Sequence, residues 1–134
     1  MRLTAYTDYA MRTLIYLGIH RGRLVTIQDI AVLHGISKNH LTKVVHQLGR
    51  CGMVETVRGR NGGIRLRGEP NGINIGQVVR TTESDFEMAA CFGSSANACA
   101  NAPWCGLKGV LSAATGAYLS VLDRVTLADL IRAA

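Results

Sequence analysis

Apolar residues at Tyr6, Ala10, Met11, Leu14, Ile15 and Leu17 recur at helical spacing behind Thr4, a good N-cap, and predict a first helix running to about His20. Arg21-Gly22-Arg23 ends it. Thr26, followed three residues later by Asp29, has the form of a capping box opening a short helix of Ile27, Ile30, Ala31 and Leu33. Gly35 breaks that pattern, and Ser37 is a natural N-cap for the next helix. There Leu41, Val44, Val45 and Leu48 fall at i, i+3, i+4 and i+7 and make a core face, while Lys38, Asn39, Thr42, Lys43 and His46 make a polar one, with His40 nearby. A helix, a glycine-containing turn and a second helix with basic and polar residues near its start are the ingredients of a helix-turn-helix, whose second helix enters the major groove.

After this helix the period changes from 3.6 to 2. Met53-Val54-Glu55-Thr56-Val57-Arg58 alternates as a strand, Gly59-Arg60-Asn61-Gly62-Gly63 holds an Asn-Gly hairpin signal, and Ile64-Arg65-Leu66-Arg67 alternates back. A basic hairpin directly after a helix-turn-helix is expected to act as a wing. Lys38, Asn39, His40, Thr42 and Lys43 are then the candidates for the major groove, Arg60 at the tip for the minor groove, and Arg58 and Arg65 for phosphates. For each arginine the plainer alternative is a charge that solvates an edge strand.

Residues 68–72 read as a connector, and Asn74 caps a short helix through Gln77, Val78, Val79 and Arg80 that leads into an acidic turn at 83–87. From Leu107 the chain is helical again, and Leu107, Leu111, Ala114, Tyr118, Val121 and Val125 alternate steps of four and three. That seam suits a helix pairing with a copy of itself, with packing against its own first helix as the competing arrangement. Thr126 and Asp129 repeat the capping-box pattern ahead of a last helix through Leu130 and Ile131. The expected fold is mainly α with a small β wing: a winged helix-turn-helix head over residues 1–67, and residues 68–134 carrying a cysteine loop and a long dimerisation helix, in one compact unit with the head.

Charge sharpens this division. Of 134 residues with a formal net charge of +6, the stretch up to Arg67 holds eleven lysines and arginines against Asp8, Asp29 and Glu55, whereas the remainder is mildly acidic. A basic first half suits a polyanion. Apolar residues near the start are interrupted by Asp8, Arg12 and Thr13 without a cleavage pattern, and no apolar run is long enough for a membrane span, so a cytoplasmic location is expected with no membrane partner.

Three of the four cysteines, Cys91, Cys99 and Cys105, are spaced C-x7-C-x5-C in a segment of small residues, Asn and Pro that reads as a loop wrapped around something. An odd number of thiols leaves one over in any disulfide scheme, and reducing conditions disfavour the bond. Structural zinc usually takes closer cysteine pairs and a fourth Cys or His, and no His follows His46. Iron–sulfur clusters are held chiefly by thiolates and accommodate wider gaps, with the fourth ligand coming from elsewhere. Three unrelated buried thiols, a zinc site and a cluster all remain open on the residues alone.

Taken together, the opening Met1-Arg2-Leu3-Thr4 with Tyr6-Thr7-Asp8-Tyr9, the Ser37-Lys38-Asn39-His40-Leu41 helix start, the wing from Val57 to Leu66, the three cysteines and Thr126-Leu127-Ala128-Asp129-Leu130 resemble the nitric-oxide-sensing branch of the Rrf-two family of iron–sulfur regulators. The resemblance covers nearly the whole chain. It implies a homodimeric DNA-binding repressor without enzymatic activity, acting on a palindromic operator, with nitric oxide as its signal. It further implies a [4Fe-4S] cluster on Cys91, Cys99 and Cys105, with Asp8 of the partner subunit as fourth ligand. Another branch of the family places a His three residues after the last cysteine, where this chain has Lys108. Three thiolates and one oxygen also suit a [2Fe-2S] cluster. A zinc or thiol-redox regulator is the nearer alternative, and an iron–sulfur electron carrier, which leaves the helix-turn-helix unexplained, the more distant one. Cys51 matches no ligand position and is expected to be structural.

Overall fold

Thr4 opens the molecule as its sequence predicts, its side-chain oxygen accepting the Thr7 amide at 3.3 Å ahead of helix α1, Ala5–Ile19. The computed structural model describes residues 2–93, 99–100 and 102–132. Helix α2, Ile27–His34, starts with the expected capping box: the Thr26 hydroxyl accepts the Asp29 amide and the Asp29 carboxylate accepts the Thr26 amide, both at 3.1 Å. Each bond satisfies a helix N-terminal donor that would otherwise lack a partner. Gly35, at φ 64°, takes the left-handed conformation that ends α2, and Ser37 caps helix α3, Lys38–Arg50.

Strands β1, Val54–Val57, and β2, Gly63–Leu66, pair antiparallel with Val54 opposite Leu66 and Val57 opposite Gly63. The alternation then decides the faces: Val54, Ile64 and Leu66 are buried, while Glu55 and Arg65 pair on the outer side. Ile64 also exchanges both backbone hydrogen bonds with Val25, so the wing is tied to the turn between α1 and α2. At the tip Asn61 sits at φ 64°, and a Cβ on Gly62 would lie 2.2 Å from the Val57 carbonyl oxygen, so only glycine fits there.

A 3-10 turn at Pro70–Gly72 leads to helix α4, Ile75–Thr82, capped by Asn74 as expected. Short 3-10 turns follow at Ala90–Phe92 and Ala102–Trp104, then helix α5, Leu107–Leu122, and helix α6, Leu127–Arg132. The centre of the expected cysteine loop, 94–98 and 101, lies outside the described residues. Among the described residues no helix is long and apolar enough to cross a membrane.

One core runs through both halves of the chain. Ala10, Leu14 and Leu17 of α1 meet Ile30 of α2, Leu41, Val44 and Leu48 of α3, Ile64 of the wing, Val78 of α4 and Leu127 of α6, each at most 2 % exposed. The chain after α5 returns to the start of α4 through backbone bonds from Leu127 to Ile73 and from Ile75 to Val125, both at 2.9 Å. Helix α5 behaves differently. None of its residues is buried, and Leu107, Val110 and Val121 are 51, 66 and 54 % exposed. It packs against α4, whereas α6 packs on α1.

Because Leu127 is fully buried in the core that α6 shares with α1, Leu127→Ala is expected to destabilise the whole chain by about 2 to 5 kcal/mol. Urea unfolding followed through helix content and through amide exchange of α1 and α6 should give one coincident transition, shifted to lower urea; separate transitions would mean that the halves fold apart.

Candidate nucleic-acid interface and metal-ligating segment

The polar face of α3 is presented to solvent. Leu41, Val44, Val45 and Leu48 are buried, which turns Lys38, Asn39, Thr42, Lys43 and His46 outward. The Thr42 hydroxyl donates to the Lys38 carbonyl at 2.8 Å, so it already has one partner. His40 is placed differently from its neighbours: it is half-buried, with its ring 4.8 Å from that of Tyr9 in an edge-on arrangement and 6.2 Å from that of Tyr6. Contact with α1 therefore claims much of the surface that the sequence assigns to DNA.

On the wing, Arg58 and Arg60 are exposed and make no ion pair among the described residues. Arg65 donates through Nε to Glu55 at 2.5 Å across the strand pair. Exposed pairs of this kind contribute little to stability, so a phosphate can compete for the guanidinium. The exposed helix face and the wing thus offer basic and polar side chains of the kind that hold a duplex by its phosphates and read base edges from a helix.

All four cysteines are free. Cys91 is half-buried in the turn Ala90–Phe92, and Cys99 and Cys105 are exposed, Cys105 one residue before the Gly106 N-cap of α5. Lys108, in the first turn of α5, holds its ammonium 5.7 Å from the centre of the Phe92 ring and so pins that turn to the helix. Among the described residues, no three His, Cys, Asp or Glu side chains come together as a metal set within one chain. Asp8 lies on the exposed side of α1, where both of its oxygens accept from Arg12 Nε at 3.2 Å. The donor chemistry nevertheless fits an iron–sulfur cluster: three accessible thiols without a disulfide, and an exposed carboxylate that exchanges partners readily. Cys51 is exposed at the C-cap of α3, with Gln47 Nε2 3.9 Å from its sulfur, rather than packed in the core as a structural thiol would be.

Glu83, which the sequence offers only as one member of an acidic turn, joins the base of the cysteine segment to the start of α1. Its carboxylate accepts from the Thr4 amide, the Thr4 hydroxyl and the fully buried Thr7 hydroxyl, the last at 2.6 Å. Partial burial pulls its pKa upward, but these bonds from Thr4 and Thr7 together outweigh it and hold the carboxyl below its usual range. In the same last turn of α4, Arg80 binds Asp123 at the C-cap of α5 through two bonds, and this lowers the Asp123 pKa. No pattern in the sequence marks either contact, because each joins residues more than forty positions apart.

A solvent-facing basic helix followed by a basic two-stranded wing defines the molecule as a winged helix-turn-helix regulator. The chain belongs to the Rrf2 family, described as iron-dependent transcriptional regulators, whose sequence pattern matches residues 3–133. The HTH-type transcriptional regulator NsrR of Bacillus subtilis strain 168 is 55 % identical over 133 residues, 98 % of this chain and 91 % of that protein. In three dimensions the chain is similar to T. potens IscR, with a TM-score of 0.78 and 26 % identity over 98 % of this chain and 87 % of the other. CymR, the global cysteine regulator of B. subtilis, has the same fold, with a TM-score of 0.73 and 24 % identity over 100 % of this chain and 98 % of its own.

Glu83→Ala removes the acceptor for three donors. The expected loss is about 1 kcal/mol, modest for bonds to a charged group because the carboxylate is only half-buried. A lowered folded pKa means that this stabilisation is fully present above the usual glutamate value of about 4.5 and fades as pH falls below it. Urea titrations across pH should show wild type and variant separated at pH 7 and converging near pH 3; a separation independent of pH would remove the charge from the explanation.

Proposed function

We propose that the chain is a homodimeric, sequence-specific DNA-binding repressor whose affinity for a palindromic operator depends on an iron–sulfur cluster and is lost when nitric oxide reacts with that cluster. The observation that carries this reading is the junction at 105–107, where the last of three free thiols adjoins a sixteen-residue helix with no buried residue. An apolar helix left uncovered in one chain calls for a second copy. Two-fold symmetry then presents two α3 helices to two half-sites, which makes the operator palindromic.

Cys91, Cys99 and Cys105 would hold the cluster from one subunit, with Asp8 of the partner subunit as the fourth ligand. A [4Fe-4S] cluster is the form favoured by resemblance to the nitric-oxide-sensing branch of the family, and when bound it supplies the iron that nitric oxide attacks. A carboxylate binds iron less strongly than a thiolate, so Asp8 would be the ligand that gives way most easily. While Asp8 is engaged across the dimer, α1 is held to the neighbouring sensor segment. Once released, Asp8 returns to Arg12, the pair present at 3.2 Å, and α1 is tied only to its own subunit. The spacing of the two α3 helices is then no longer fixed from outside, and binding to paired half-sites weakens.

Anaerobically purified protein is expected to be brown and to lose specific operator binding on titration with nitric oxide. Colourless protein with unchanged binding would overturn the reading. On the DNA side, Asn39→Ala is expected to relax sequence preference by about 1 to 3 kcal/mol, and Arg58→Ala to weaken all sequences alike while lowering the salt slope by about one. Competition binding at several salt concentrations separates the two effects.

A further inference from the structure

Helix α1 touches the recognition helix through its first two turns. Tyr6 and Tyr9, three residues apart, lie on one face of α1, and His40 of α3 packs its ring against both. The Tyr6 hydroxyl also donates to the Lys43 carbonyl at 3.2 Å. His40 and Lys43 belong to the first half of α3, where the exposed polar residues cluster. Asp8 lies between the two tyrosines in sequence, and at 100° per residue its side chain leaves the helix well away from Tyr6, on the face shared with Arg12. One helical segment therefore carries a carboxylate facing outward and two aromatic rings facing α3. Below it Ala10, Leu14 and Leu17 are buried to within 1 %, so the helix moves as a rod rather than bending locally.

We propose that Tyr6 and Tyr9 are positioning residues that relay the state of Asp8 to the recognition helix, with His40 as their receiver on α3. This rests on the cluster-dependent repressor reading above and names the contacts that couple its two sites. A displacement of α1 at Asp8 is felt at the rings on the same turn, and the rings can only follow it by pushing His40 or by pulling the Lys43 carbonyl. The base-reading end of α3 shifts as a result. His40 thereby acts on DNA through the placement of its neighbours Lys38, Asn39 and Lys43.

The test uses full-length Tyr6→Phe and Tyr9→Leu dimers, each assayed in cluster-loaded and cluster-free forms for operator affinity, with iron and sulfide content and hydrogen exchange of the α3 amides measured alongside. Tyr6→Phe deletes one hydroxyl and keeps the ring, so the fold is retained. For a relay, the loaded form weakens toward the cluster-free one while cluster content and cluster-free affinity hold, and the ratio of the two affinities falls about 2- to 10-fold, the worth of one neutral hydrogen bond. The difference in α3 exchange between loaded and free forms shrinks with it. If both forms weaken equally and the ratio stands, the tyrosines only support the head and the relay is wrong. A wild-type ratio near one would instead reject the cluster-dependent repressor itself, and the relay with it.

Discussion

The first turns of α1 hold consecutive residues that face different neighbours, and the molecule depends on that arrangement. Tyr6 and Tyr9 contact helix α3, Thr7 is fully buried and donates to Glu83 at the base of the cysteine segment, and Asp8 points outward toward Arg12. Helical geometry makes the division obligatory, since residues one apart diverge by 100° and residues three apart share a face. A single rigid element thus connects helix α3, the base of the cysteine segment and the outside of the chain. Ala10, Leu14 and Leu17 anchor it in the common core.

The opposite constraint comes from α5. Its apolar side finds only a partial partner in α4, and the Arg80–Asp123 pair fixes its C-terminal end to α4 without covering it. Surface of this kind is costly in water at roughly 25 cal/mol per Å² of apolar area. Covering α5 with a second copy brings the cysteine segment, which leads directly into the helix, close to the dimer seam. On the proposed reading, sensing and dimerisation share one structural element, and the two α3 helices would report on the state of that seam.

Much of this was legible in the residues. Thr4, Thr26, Ser37, Asn74 and Thr126 each mark the start of a helix because their side chains supply a local acceptor for an otherwise unpaired amide, a relation that spans three positions. The wing was equally clear, since alternation and an Asn-Gly pair act over similarly short distances. Contacts between distant segments left no such trace. Glu83 resembles any acid of a charged turn until Thr4 and Thr7 are brought to it, and His40 resembles its exposed neighbours until Tyr9 covers its ring. Arg65 likewise looks free in sequence, although the strand register sets it opposite Glu55. The cysteine spacing points to ligation, but which carboxylate completes the set is a property of two chains, and it rests on family resemblance.

Ligation across the dimer is the claim on which the coupling stands, and a mixed dimer tests it most directly. One subunit carries Asp8→Ala with its three cysteines intact; the other keeps Asp8 but has Cys91, Cys99 and Cys105 replaced by serine. Ligation between subunits predicts one complete site in this heterodimer, seen as one cluster per dimer by iron and sulfide content and reacting with nitric oxide at the wild-type rate. A mixed dimer whose cluster content and nitric oxide reaction match those of the Asp8→Ala homodimer would contradict it.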